Sequence, residues 1–197
     1  MIRTFLCIEL PETSRGILGE VIARLKSHHA PISWQTPSKL HVTLVFLGDV
    51  SEDRLAGVID ASRAVAQSAP RFSLSIEGLG AFPSLQRPRT LWAGVVGDRT
   101  ALATLASRLE SAFVPIGFNV SGNPYRPHIT IGRIRAGRDA AIAAVMRTVS
   151  EVDVRSPAFD VREIVVMRSD LAPNGARYTP LAKLELAGAS PTGNAVE

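Results

Sequence analysis

The feature that most constrains this chain is a strand–helix–strand pattern written twice, with matching landmarks 86 or 87 residues apart. Arg3-Thr4-Phe5-Leu6-Cys7-Ile8 opens the first half as an apolar, strand-like run, and Arg89-Thr90-Leu91-Trp92-Ala93-Gly94-Val95 opens the second. An amphipathic stretch follows each. Over residues 11–29, Ile17, Leu18, Val21, Ile22 and Leu25 recur at helical spacing. In the second half Asp98 suits an N-cap, and Leu102, Leu105, Leu109 and Phe113 fall on one helical face. Both halves then reach a His-x-Thr strand, His41-Val42-Thr43-Leu44-Val45-Phe46 and His128-Ile129-Thr130-Ile131-Gly132-Arg133, whose histidines are 87 residues apart. Further helices are expected over 52–67 and 138–149, then strands over 72–76 and 159–164, with Phe72 and Phe159 again 87 apart. The repetition predicts an α+β fold of two β-α-β-α-β lobes related by a pseudo-twofold axis, with the His-x-Thr strands meeting near it. A final strand over 178–186 is expected to complete the second lobe. Residues 1–187 therefore read as one two-lobed domain, and the Gly-, Ala-, Ser- and Pro-rich residues 188–197 as a flexible tail.

Composition narrows the function classes. The 197 residues are 46% hydrophobic and 20% charged, as in ordinary globular proteins. No stretch approaches the roughly 20 apolar residues of a membrane-spanning helix, so no membrane association is expected. Arg3 and Glu9 bracket only a five-residue run, which argues against a secretory leader and for a cytoplasmic location. With Cys7 as the single cysteine, neither an intrachain disulfide nor a Cys/His zinc pattern can form. No HxxxH or HExxH spacing exists, and no metal is expected. The net charge of +4, with 19 Arg against 3 Lys, permits an anionic partner without requiring one.

In a β-strand, residues i and i+2 share a face. His41 with Thr43, and His128 with Thr130, thus point together, while Val42, Leu44, Ile129 and Ile131 point to the opposite face where helices pack. Two such strands meeting across a twofold place two imidazoles and two hydroxyls around one cavity. That set suits a phosphoryl transition state. A neutral imidazole deprotonates water and an imidazolium protonates the departing sugar oxygen, both forms being accessible near a pKa of about 6.5. Threonine hydroxyls donate to the non-bridging oxygens as charge builds there. A strained cyclic phosphate needs no metal for this step. His28 and His29, adjacent at the end of the first helix, have no such context and read as structural, with nothing to pair with. Trp34 and Trp92 read as core residues. The segment 80–89, with Pro83, Arg87, Pro88 and Arg89, reads as a loop near the second lobe's entrance.

These residues resemble those of the two-histidine phosphoesterases, specifically the RNA 2′,3′-cyclic phosphodiesterases also known as 2′-5′ RNA ligases. The likeness covers nearly the whole chain. It runs through the opening strand to Leu10-Pro11, Trp34, the two signatures His41-Val42-Thr43-Leu44 with Phe46-Leu47-Gly48 and Arg126-Pro127-His128-Ile129-Thr130-Ile131-Gly132-Arg133, and Ser169, Gly175 and Tyr178 before the last strand. The resemblance implies a bilobal α+β fold with mostly antiparallel sheets facing a central cleft and helices outside. It also implies no cofactor, and hydrolysis of an RNA terminal 2′,3′-cyclic phosphate to a 2′-phosphate. It makes His41 the proton donor and His128 the acceptor, with Thr43 and Thr130 holding the phosphate. It further suggests that Phe46 stacks a base and Arg133 approaches phosphate, with Arg126 as another phosphate contact or a solvated loop residue. Strict alternation disagrees, because an offset of five from each histidine aims Phe46 and Arg133 at the helix-packed face. Gly132 permits a bulge that re-aims Arg133, but nothing comparable precedes Phe46. Core packing is the alternative for both.

The expected partner is an RNA end or nucleotide bearing a 2′,3′-cyclic phosphate, met by a monomer. Two other readings stay open at this point. The same chemistry serves a 2′-5′ phosphodiester ligase or hydrolase, or a nucleotide cyclic phosphodiesterase, since the scissile group is alike. A non-catalytic RNA-end binder would have been favoured by loss of either histidine. A metal-dependent phosphodiesterase predicts carboxylates beside the histidines, but Asp49 is eight residues past His41 and no acid lies between Asn123 and Gly137.

Overall fold

The computed structural model describes residues 1–119, 124–135, 140–172 and 175–188. The expected helix start at residue 138 and the expected tail from residue 189 onward lie outside them. Strands β1 (Ile2–Glu9), β2 (Ile32–Trp34), β3 (His41–Val50) and β4 (Phe72–Phe82) belong to the first half of the chain. The second half supplies β5 (Thr90–Gly97), β6 (His128–Ile134), β7 (Phe159–Val161), β8 (Glu163–Asp170) and β9 (Arg177–Glu185). Helices α1 (Glu12–Lys26), α2 (Glu52–Ala66), α3 (Arg99–Phe113) and α4 (Ala140–Glu151) alternate with them, as the helical spacing predicts. Every described strand pairing is antiparallel.

Each helix buries one stripe. Leu18, Ile22 and Leu25 of α1, Val58 and Val65 of α2, Leu102, Leu105, Leu109 and Phe113 of α3, and Val145 and Val149 of α4 are all buried. Spacings of three, four and seven keep these residues on one face, and full burial of such a side chain contributes about 1.5–3 kcal/mol. The stripes share one core with Val42 and Leu44 of β3 and Ile129 and Ile131 of β6, so the helices cover the side of the strands opposite the His-x-Thr pairs. On the other face Phe5, Cys7, Val165 and Met167 form a small second cluster with Tyr178 against it.

The sheets depart from the two-lobe expectation in one respect. Their orders are β3-β1-β8-β9 and β2-β6-β5-β4-β7. β4, which follows α2, lies beside β5, and β8, which follows α4 and the short β7, lies beside β1, so each half contributes strands to the other half's sheet. The expected strand over 159–164 is therefore two strands, divided at Arg162 and belonging to different sheets. The last strand, β9, completes the sheet of β1 rather than the second lobe. Where β4 meets β7, Phe72 pairs with Val161, Ser73 with Asp160 and Leu74 with Phe159. Shifting every residue by 87 turns this set of pairs into itself, so the pseudo-twofold passes through the Ser73–Asp160 pair. Register also corrects the alignment of the openings. Glu9 faces His41 and Gly94 faces His128, an offset of 85 rather than 86.

Two further expectations change. His28 does have a partner: its Nε2 lies 2.8 Å from Thr148 Oγ1. The Thr148 hydroxyl donates to the Ala144 carbonyl, so it accepts from the histidine and ties the end of α1 to α4. Residues 80–82, expected as loop, continue β4. No described helix is long and apolar enough to cross a membrane.

Candidate active site

The two histidines begin their strands, β3 and β6, and these strands contact each other between the sheets. Each ring is held the same way. His41 Nδ1 is 2.8 Å from the Lys39 carbonyl, and His128 Nδ1 is 2.8 Å from the Arg126 carbonyl. A carbonyl only accepts, so Nδ1 carries the proton in both rings and Nε2 is left as the nitrogen available for proton transfer. Lys39 and Arg126 are themselves 87 residues apart. Arg126 thus contributes its main chain to the site, while its side chain is exposed and lies outside the described cavity wall.

Strict alternation fails in both strands at the same place. Along β3, Leu6 pairs with Val45 and Cys7 with Thr43, which leaves Leu44 as an extra residue. Along β6, Leu91 pairs with Gly132 and Trp92 with Thr130, which leaves Ile131 extra. Two consecutive residues are buried at each bulge, Leu44 with Val45 and Ile131 with Gly132. The following side chains, Phe46 and Arg133, are returned to the histidine face. The helix-packed placement that alternation implied is therefore wrong for both residues, and so is the view that nothing precedes Phe46 to re-aim it. Gly132 is required at its bulge because a Cβ there would lie 2.9 Å from both Ile32 and Trp34.

The resulting cavity, about 980 Å³, gathers His41, Thr43, Phe46, Thr130 and Arg133. His128 is not among the residues lining it; its ring is held by its bond to the Arg126 carbonyl and by edge-on contact with Phe82 at 5.0 Å. It is near enough for its charge to act on His41. The wall carries five cationic side chains, Arg3, Lys26, Lys39, Arg133 and Arg135, and no carboxylate among the described residues. Among the described residues, no three His, Cys, Asp or Glu side chains cluster as a metal site would require.

The two rings differ in their surroundings. His41 sits in an aromatic cage, 4.9 Å from Phe5 and 5.4 Å from Tyr178. Burial is the main reason its pKa falls below the ordinary value. The positive charge of His128 adds to this, while the Lys39 carbonyl and the Glu9 carboxylate oppose it. Glu9 is bound by Lys183, 2.9 Å away, which also reaches Glu163. The position facing His128 is Gly94, where a Cβ would come within 2.4 Å of the Glu77 carbonyl. Burial raises the Tyr178 pKa, so its phenol remains a hydrogen-bond donor beside Arg3 and Arg133. Burial likewise raises the Cys7 thiol, leaving it an inert member of the small cluster beneath Phe5 and Tyr178.

A sequence profile of the 2′-5′ RNA ligase superfamily matches residues 16–173. The chain belongs to this superfamily. Among curated relatives, the RNA 2′,3′-cyclic phosphodiesterase of Methanothermobacter thermautotrophicus is 33% identical over 186 residues, covering 94% of this chain and 99% of that protein. Among superfamily-like folds, the crystal structure of a Thermus thermophilus protein superposes with a TM-score of 0.81 at 26% identity, covering 95% of this chain and 99% of that one. Escherichia coli LigT in complex with 3′-AMP superposes with a TM-score of 0.72 at 26% identity and the same coverage.

Reasoning from residues alone missed several members of the site. Tyr178 and Phe5 cage His41, Arg3 stacks 4.7 Å above the Phe46 ring, and Ser169 and Trp34 line the cavity. Trp34, expected as core, both packs on the core and faces the cleft. All of them lie in stretches that carried the resemblance, but none was given a role in the site there. The cage itself depends on β8 and β9 entering the first sheet.

Proposed function

We propose that this protein hydrolyses terminal 2′,3′-cyclic phosphates on RNA to 2′-phosphates without a metal, with His41 and His128 as its acid–base pair. The observation that carries the reading is the matched tethering of both Nδ1 atoms. It leaves two Nε2 atoms for proton transfer, one of them in a cavity that carries five cations, two threonines and no carboxylate among the described residues. The relatives named as cyclic phosphodiesterases support it.

His128 accepts a proton from water as the water oxygen bonds to phosphorus. The P–O3′ bond breaks, and His41 delivers its proton to O3′. Thr43 and Thr130 donate to the non-bridging oxygens, and Arg133 balances their charge. Phe46, 53% exposed and backed by Arg3, is the base-stacking surface. Because burial disfavours the His41 imidazolium in the free protein, the anionic substrate restores the donor's proton on binding. Residues 1–187 act as one two-lobed domain, and the register symmetry about Ser73–Asp160 supports its origin by internal duplication.

The test is turnover in EDTA of a short RNA ending in a 2′,3′-cyclic phosphate. A 2′-phosphate product is expected from the intact protein, with losses of roughly 10²–10⁴-fold for His41→Ala and for His128→Ala. An intact protein that binds the RNA and never opens it would overturn the reading in favour of an end-binding role. The depressed His41 pKa favours a second reading in which the proton roles are exchanged. A cyclic substrate with sulfur in place of O3′ separates the two, because a thiolate leaves without a proton. On that substrate the variant lacking the donor keeps its activity, and the variant lacking the acceptor does not.

A further inference from the structure

Beyond the catalytic cavity lies a second one, of about 1010 Å³, between the β4–β5 loop, the end of β6 and the outer face of α4. Its size is at the upper end of the roughly 300–1,000 Å³ typical of ligand sites and exceeds what a single phosphate needs. Four guanidinium groups stand on it: Arg87 and Arg89 from the loop, Arg135 after β6 and Arg147 from α4. Glu151 is the one carboxylate in this lining, and none of the four arginines forms an ion pair among the described residues. Leu85, Pro88, Ile134 and Met146 supply apolar surface between the charges. Arg135 lines both cavities, and its Nε donates to Ser33 Oγ on the strand that borders the catalytic one.

Clustered, exposed cations without an ion-pair partner among the described residues, interleaved with apolar side chains, suit a ligand with repeating negative charge and flat faces. An ion-pairing role within the fold would have placed carboxylates against these arginines, as the three-residue Glu9–Lys183–Glu163 group does elsewhere. We infer that this arginine-lined groove holds the nucleotides upstream of the reacting end, so that the protein acts on oligonucleotide ends in preference to cyclic mononucleotides. The inference rests on the function proposed above for its chemistry, but the groove is testable without it.

The experiment pairs Arg87→Gln/Arg147→Gln with the intact protein. Neither residue lines the catalytic cavity, and both are exposed. Binding is read by fluorescence anisotropy with a labelled RNA hexamer bearing a 2′-phosphate end, across a salt series. Turnover is compared for that hexamer's cyclic-phosphate form and for a 2′,3′-cyclic mononucleotide. The expected result is weaker hexamer binding by the variant, on the order of tenfold at low salt, and a salt slope reduced by about 1.4 for two lost single-strand phosphate contacts. Hexamer KM rises in parallel, while mononucleotide turnover is unchanged. Equal KM for hexamer and mononucleotide in the intact protein, or equal losses on both in the variant, overturns the inference. Hexamer binding that ignores the two substitutions, or their loss weakening only an acidic peptide, also overturns it. If no cyclic end is opened but hexamer binding still depends on the arginines, the groove stands and the proposed reaction falls.

Discussion

Replacing Gly80 by alanine puts a methyl group where the Trp92 ring now lies. The added Cβ would sit 2.3, 2.5 and 2.8 Å from Cζ2, Cη2 and Cε2 of that ring, more than half an ångström inside ordinary contact at every one. An indole moves only as a rigid plate, and this one is braced by Phe82 at 5.3 Å, two residues past Gly80 on the same strand. Overfilling of this kind costs about 1–3 kcal/mol. With a urea dependence of about 2 kcal/mol per molar, the unfolding midpoint should fall by roughly 0.5–1.5 M. Phe82 also supports the His128 ring edge-on, so the displaced plate reaches the proposed proton acceptor through one intermediary. Turnover should drop between a few-fold and about 100-fold, with KM little altered. Tryptophan-monitored urea unfolding and cyclic-phosphate turnover on the same preparations are the assays. A midpoint unchanged within about 0.2 M would show that the indole yields freely and that the wedge argument is wrong.

Gly57, mid-way along α2, has nothing within 4 Å of an added Cβ, so Gly57→Ala should raise stability by about 0.5–1 kcal/mol in the same urea assay. The His41 pKa is lower folded than its reference of 6.5, so the unfolded chain binds more protons just below that pH. Stability should therefore decline as pH falls from 6.5 to the folded value and level off beneath it, and His41→Gln should flatten that decline; an identical pH dependence in the variant would refute the assignment. Phe46→Ala removes an exposed ring, so unfolding should shift by no more than about 0.5 kcal/mol. Binding of base-bearing substrates should weaken by about 1–3 kcal/mol, read as a higher KM. Thr148→Val strands the His28 ring nitrogen at the α1–α4 junction and should cost about 1 kcal/mol in thermal or urea unfolding, with turnover preserved.

What was legible in the sequence was local. Period-two alternation and helical spacing located nearly every element, and the His-x-Thr pairs identified which strand faces carry polar chemistry. The Gly132 bulge could be anticipated because a glycine marked it. The bulge at Leu44 could not, since Leu-Val-Phe is an ordinary strand run and the irregularity shows only in its pairing with Leu6 and Cys7. The aromatic cage was hidden for a different reason. Phe5 and Tyr178 are 173 residues apart, and they meet only because β8 carries β9 into the first sheet. The break at Arg162 was equally hidden, because residues 159–164 read as one strand-like run and only the pairing, with β4 before Arg162 and with β1 after it, divides them. Long-range choice of sheet leaves no periodic trace.

Each sheet here is stitched from both halves of the chain, and that ties the integrity of the active site to a single melting event. The first half alone retains β1 beside β3 but lacks β8 and β9, and its β4 has no β5 to lie against. Neither half therefore keeps a complete sheet by itself, and the settings of both histidines rest on the same exchange of strands. A backbone cut in the 83–88 loop severs only the covalent link. The two fragments would remain laced together through both sheets, reassembling as a noncovalent pair and holding His41 and His128 at the same separation.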